Sequence, residues 1–314
     1  MGTPEFAATV LRRLLTPDSP VEVVAAVTQP DKPAGRQQRL TPPPVKALAL
    51  EHDVPVLQPV SLRRPAAVEA LRRTQPDVGV VAAYGKLLPP DVLTLVPRGF
   101  LNVHASILPR WRGAWPVGAA ILAGDHESGA SIMLLDEGMD TGPVLATRRE
   151  PIRLDDTTGS LEARLAALGA VLLVETLPAY LAGEITPQPQ DDRAATYCHV
   201  VRKEAGVLDW SQPAGVLERQ VRAMQPWPVA STTWNGKRLN VLRAHVLPSG
   251  AAQGAPGGDV GTVVPVEPAG KGAAVITGDG LLALDEVQLE GRSPVPITAF
   301  LNGYRGFVGS KIGT

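Results

Sequence analysis

Asn102 and His104 stand two places apart, just ahead of Ser106-Ile107-Leu108-Pro109, and Asp140 follows within Asp136-Glu-Gly-Met-Asp140-Thr-Gly142. An amide, an imidazole and a carboxylate are the parts needed to move an acyl group onto an amine without a metal. Residues two apart on a strand point to the same face, so a strand through 100–104 would present both side chains together. A loop with two glycines could bring Asp140 to the same point. Asn102 can donate to a developing oxyanion, a contribution typically worth about 3 kcal/mol. His104 can donate when protonated or take a proton from an attacking amine, and Asp140 can orient His104 or relay the proton through water. The plainer alternative is a strand-end cap beside a satisfied core histidine.

Short valine-rich runs at 21–27, 78–83, 100–104 and 130–135 suit strands buried on both faces of a sheet. Helical patterns lie between and after them at 6–15, 45–52, 66–73, 115–123 and 160–181, the last behind an Asp-Asp-Thr-Thr capping signal. This alternation predicts an α/β fold with a doubly wound, mostly parallel, Rossmann-like sheet. Ligands of such sheets bind at the carboxyl ends of the strands, where 102–104 would lie. The chain begins Met1-Gly-Thr-Pro-Glu-Phe6, already inside a turn that should follow a strand. The first strand is thus expected to be missing, leaving an open central slot with unpaired neighbours, and Met1 is expected to be an internal methionine of a longer natural chain.

The texture changes at the Pro- and Gln-rich stretch 186–192. The expected organisation is a catalytic domain at 1–188, a linker at 189–205 and a small all-β, OB-like barrel at 206–314. One helix is expected at 217–224, then a hairpin turning at Asn235-Gly236, then strands at 260–264, 272–277 and 281–287. Stretch 249–258 reads as a mobile loop rich in Gly, Ala and Pro. Gln225-Pro-Trp227-Pro228 reads either as a stacking platform or as a structural corner.

The 314 residues are 44% hydrophobic and 19% charged, with a formal net charge of −1, so any nucleic-acid contact must come from local patches. One cysteine, Cys198, rules out an intrachain disulfide framework, and with 5 scattered histidines it offers no obvious metal site. No uninterrupted apolar run reaches membrane-spanning length and no signal segment opens the chain, which fits a cytoplasmic protein. Nothing demands association, so a monomer is expected. One local patch stands out: Lys32, Arg36, Arg39 and Lys46 face a single Asp31 in a proline-rich stretch read as a long loop. Either these cations meet phosphates or the loop is merely solvated. The cations of the barrel region, chiefly Arg219, Arg222, Lys237, Arg238 and Arg243, form no dense stripe.

The run from Asn102 through Ser106-Ile-Leu-Pro109 to Arg110-Trp-Arg-Gly113, with Gly124-Asp and 136–142, resembles the signature of the folate-dependent formyltransferases. Gly2-Thr-Pro-Glu-Phe6, the stretch 28–36 and Gln225-Pro-Trp-Pro228 narrow the resemblance to members acting on methionyl-tRNA, over nearly the whole chain. Ala105 replaces the family's usual Gly and Ile107 its usual Leu, both conservatively. The resemblance implies 10-formyltetrahydrofolate as formyl donor and the α-amino group of initiator methionyl-tRNA as acceptor. It makes Asn102, His104 and Asp140 the catalytic trio and Ser106, Ile107, Leu108 and Pro109 part of the folate loop. Lys32, Arg36, Arg39 and Lys46 become tRNA contacts, with no metal involved. Two other readings compete: a formyltransferase acting on a small amine, and a non-catalytic RNA-binding protein.

Overall fold

All five residues of Phe100–His104 are buried, as a strand covered on both faces requires. The computed structural model of the chain describes residues 1–34, 39–248, 258–266 and 271–313. Arg36 and nearly all of the stretch 249–258 therefore lie outside the described residues. The chain divides into two units: Met1–Pro116 with His126–Ile152 and Leu161–His199, and Val117–Asp125 with Arg153–Ser160 and Val200–Thr314.

In chain order the elements begin with α1 (Glu5–Leu14), β1 (Ala26–Val27), and a hairpin of β2 (Lys32–Ala34) and β3 (Arg39–Thr41). Next come α2 (Pro44–Glu51), β4 (Val56–Leu57), α3 (Pro65–Arg73), β5 (Gly79–Val81), α4 (Pro90–Leu93) and β6 (Phe100–His104). β7 (Arg112–Gly113), α5 (Pro116–Ala123), β8 (Glu127–Leu134), β9 (Val144–Pro151), α6 (Thr158–Leu181) and β10 (Tyr197–Cys198) follow. β1 pairs with β4, and β5 with β6, in parallel. β8 then runs antiparallel to β6, and β9 antiparallel to β8. The doubly wound sheet is thus parallel in its first half and carries an antiparallel edge, a common variant of such folds.

Between β1 and β5 the ladder is bridged by Met1 and Gly2. The Gly2 N–H donates to the Val27 carbonyl at 2.9 Å, and the Ala82 N–H to the Met1 carbonyl at 3.0 Å. Beyond this bridge a cavity of about 140 Å³ is lined by Val23, Ala25, Val78, Val80, Leu95 and Phe100. Of the strand expected at 21–27, only Ala26–Val27 forms, because a ladder needs a partner and residues 21–25 border the cavity.

Helix α6 holds the core of the first unit. Leu161, Leu165, Leu173 and Leu177 recur every four or eight residues and are fully buried. Gly169 completes that stripe: a Cβ there would lie 2.6 Å from Val103 Cγ1 and 3.3 Å from Ala130 Cβ, so glycine lets the helix settle onto β6 and β8. By length and composition α6 is long and apolar enough to cross a membrane. This corrects the sequence expectation that no apolar run reaches membrane-spanning length. The stripe packed on β6 and β8 gives α6 the burial of a core helix.

The second unit has α7 (Ala214–Ala223), then β11 (Ser231–Trp234), β12 (Lys237–Val246), β13 (Val263–Val266), β14 (Gly272–Ile276), β15 (Leu281–Leu289), β16 (Val295–Pro296) and α8 (Ile297–Gly303). The strands form one antiparallel sheet ordered β11-β12-β15-β14-β13, with β16 on β15. The expected OB-like barrel takes the form of a curled half-barrel, and β12 carries register shifts between Val241 and Ala244 that help it bend. Asn235 and Gly236, both at positive φ, make the expected hairpin turn between β11 and β12. Trp234 packs edge-on against Phe300, Tyr304 and Phe307 at centroid distances of 5.2–5.8 Å. Trp227, between two cis X–Pro bonds, is 55% exposed.

Candidate active site

β6 carries Asn102 and His104 on one face, as their spacing requires, and both are buried, at 8% and 6% exposure. The loop after β8 brings Asp140 to them. Asn102 Nδ2 lies 3.4 Å from Asp140 Oδ1, and His104 Nδ1 lies 3.8 Å from Asp140 Oδ2. The first contact is at the weak limit of a hydrogen bond and the second is beyond it, so both groups keep bonding capacity for a substrate. The other ring nitrogen, His104 Nε2, lies 3.0 Å from the Trp111 carbonyl. A carbonyl only accepts, so Nε2 carries a proton and Nδ1 is the position free to exchange one. Asp140 and Trp111 hold φ of 55° and 63°, left-handed conformations that non-glycine residues adopt only where their surroundings fix them.

Ser106 to Pro109 form the turn after β6, ending in a cis Leu108–Pro109 bond. Ser131 on β8 pins this turn: its hydroxyl donates to the Ser106 carbonyl at 2.7 Å and accepts from the Leu108 N–H at 3.2 Å. The Ser106 hydroxyl is buried with no hydrogen-bond partner among the described residues. An orphaned buried hydroxyl two residues from His104 suits a polar ligand group beside the apolar Ile107 and Leu108. The turn therefore fits a flat, partly polar molecule such as a folate.

Four further residues lie within this framework, and sequence reasoning did not single them out for it. Arg112 is 1% exposed. Its guanidinium donates to Gln190 Oε1 at 3.0 Å, the Tyr197 hydroxyl at 3.0 Å and Asp192 Oδ1 at 2.8 Å. Burial works against this charge, but the bonds to Asp192 and Tyr197 outweigh it and raise the Arg112 pKa. Gly113 donates its N–H to Asp140 Oδ2 at 2.8 Å. A Cβ on Gly113 would lie 2.1 Å from the Cys198 carbonyl, and its φ is 114°, so glycine is required there. Cys198 is buried, and burial pushes its thiol pKa up. Gln190 and Cys198 come from the stretch expected as linker. That stretch instead carries β10, which pairs in parallel with β7. No spacing signal marks these residues, because a buried arginine and a structural glutamine look like surface in sequence.

The basic patch differs from the expected long loop. β2 and β3 form a hairpin and Lys46 sits in α2, where its ammonium lies 2.8 Å from Asp31. The bonds from Lys46 and Gln58 hold the Asp31 carboxyl below its ordinary pKa. Lys46 is thus partnered within the fold. Lys32, whose ammonium donates to Gln29 Oε1 at 2.9 Å, and Arg39 are exposed. Among the described residues no cluster of metal-ligating side chains occurs.

Residues 1–177 match a family described as formyl transferase, and residues 201–305 match the formyl transferase C-terminal domain. The chain is 47% identical to the methionyl-tRNA formyltransferase of Roseiflexus castenholzii, over 100% of this chain and 97% of that protein. It is 48% identical to the methionyl-tRNA formyltransferase of Myxococcus xanthus, over 99% of this chain and 96% of that one. Among solved structures, WlaRD, a sugar 3N-formyl transferase crystallised with dTDP and 5-N-formyl-THF, superposes with a TM-score of 0.66 at 14% identity. That likeness covers 93% of this chain and 97% of WlaRD, and at such identity it speaks for the fold alone. With both domain types matched in order along one chain, the protein belongs to the formyl transferase family.

Proposed function

We propose that this chain transfers the formyl group of 10-formyltetrahydrofolate to the α-amino group of initiator methionyl-tRNA, in the cytoplasm and as a monomer. The observation that carries this reading is the convergence of Asn102, His104 and Asp140 at the end of β6. It stands beside near-full-length identity of 47–48% to methionyl-tRNA formyltransferases.

In the proposed reaction the neutral amine attacks the formyl carbon, and Asn102 donates its amide N–H to the oxyanion that develops. His104 keeps Nε2–H on the Trp111 carbonyl, so Nδ1 is the atom that takes the amine proton, with Asp140 beside it to balance the charge. The carbon–nitrogen bond to the folate then breaks, and the proton goes to the departing folate nitrogen. Ser106 to Pro109 hold the donor, with the unpartnered Ser106 hydroxyl as their polar contact. Lys32, Arg36 and Arg39 serve as phosphate contacts for the tRNA acceptor end, and the half-barrel with Lys237, Arg238 and Arg243 adds further basic surface for it. Lys46 supports the base of the hairpin through Asp31.

The test is formyl transfer by the full chain, with 10-formyltetrahydrofolate as donor, to three acceptors: charged initiator tRNA, free methionine and an amino-sugar nucleotide. Formyl-methionyl-tRNA is the expected product. Transfer to the sugar nucleotide alone would give the small-amine reading precedence, and absence of any transfer would leave an RNA-binding protein.

A further inference from the structure

Asp140 sits in a left-handed conformation at the tip of a loop, and something must hold it there. A large part of the hold comes from one side-chain amide. Gln190 Nε2 donates to the Asp140 carbonyl at 2.8 Å and to the Gly142 carbonyl at 2.7 Å, gripping the loop on both sides of its turn. Gln190 Oε1 in turn accepts from Arg112 Nε at 3.0 Å. Arg112 is buried on β7, and the next residue of that strand, Gly113, donates its N–H to the Asp140 carboxylate. The network closes on itself: one strand fixes the carboxylate directly and, through Gln190, the backbone beneath it. Gln190 is itself placed by the paired hydrogen bonds, both 2.8 Å, between Val144 and Gln188 two residues earlier.

From this ring we infer that Gln190 is a positioning residue for the formyl transfer, acting through Asp140 and anchored by Arg112. The inference rests on the reading of Asp140 as part of the catalytic trio. The Gln190 amide bonds to backbone carbonyls of the loop and to Arg112, not to the Asp140 carboxylate itself. What it sets is the direction of the Asp140 carboxylate relative to His104 Nδ1. A carboxylate that swings away leaves the imidazolium formed at His104 without its balancing charge while substrate binding is untouched.

A merely structural role is the alternative, in which Gln190 serves only to satisfy the buried Arg112. Gln190→Glu separates the two. A glutamate keeps an acceptor for Arg112, and pairs its charge, but has no N–H to donate to the Asp140 and Gly142 carbonyls. The experiment measures kcat, the KM for each substrate and the thermal midpoint of the full chain carrying Gln190→Glu, with Gln190→Met as a second variant of similar length. The expected result for Gln190→Glu is a kcat about ten- to a hundredfold lower, the scale set by a misplaced catalytic group, with both KM values and the midpoint near wild type. Gln190→Met should lose kcat to a similar extent. A kcat for Gln190→Glu within about twofold of wild type would overturn the inference. So would a loss seen only in KM, or unfolding of both variants, which would mark the role as structural. Asp140→Ala in the same assay distinguishes the two levels. If it is inactive while Gln190→Glu is normal, the positioning role alone fails; if it is active, the reading of the trio fails.

Discussion

A proton transfer needs its acceptor within a few tenths of an ångström, and the residues around Asp140 are arranged on that scale. Asn102→Ala removes the oxyanion donor and is expected to lower kcat by about a hundred- to a thousandfold, with tRNA affinity near wild type in a binding assay. His104→Ala should do the same. The Cys198 thiol offers a different check. Burial raises its pKa, so a thiol reagent at neutral pH should leave it unmodified in the native chain and modify it fully in denaturant. At this scale the convergence of Asn102, His104 and Asp140 was legible, from a spacing of two on a strand and a loop with two glycines. The sequence was opaque for Arg112 and Gln190. Their importance comes from which groups they meet, and those lie 48 to 85 residues away in the chain.

Elements deliver these residues, and the tightest element contact is glycine against strand. Gly169→Leu would drive a side chain into Val103 and Ala130, directly behind His104. It is expected to cost about 1–3 kcal/mol or more in denaturant unfolding, together with reduced kcat, because β6 would shift. The Lys46–Asp31 pair gives a pH-dependent expectation. The folded-state pKa of Asp31 is depressed below 3.8, so its stabilising contribution is present above that value and is lost as pH falls through the folded value. Lys46→Ala should therefore narrow the stability difference between neutral and acidic pH, as read from urea midpoints. Strand alternation and the apolar stripe of α6 were visible in sequence because period reports burial. The shortened β1 and the antiparallel β8 and β9 were not, because pairing direction and available partners are properties of the whole sheet. Likewise the supposed linker at 189–205 became β10 and the clamp on Asp140, since a short pairing segment has no periodicity to read.

Across the whole molecule, residues 1–177 and 201–305 match two family domains, and a polyanionic acceptor would have to be met by local basic patches on a chain of net charge −1. Transfer to tRNA should therefore weaken steeply with added salt. Arg39→Ala should reduce the slope of log affinity against log salt by about one without changing kcat. The most direct test of the account is single-turnover formyl transfer to charged initiator methionyl-tRNA, comparing wild type with Asn102→Ala at saturating tRNA. The account predicts rapid formation of formyl-methionine by wild type, and a rate at least about a hundredfold slower for the variant with the tRNA still bound. A wild-type chain that binds the tRNA but forms no formyl-methionine, or a variant that transfers as fast as wild type, would contradict it.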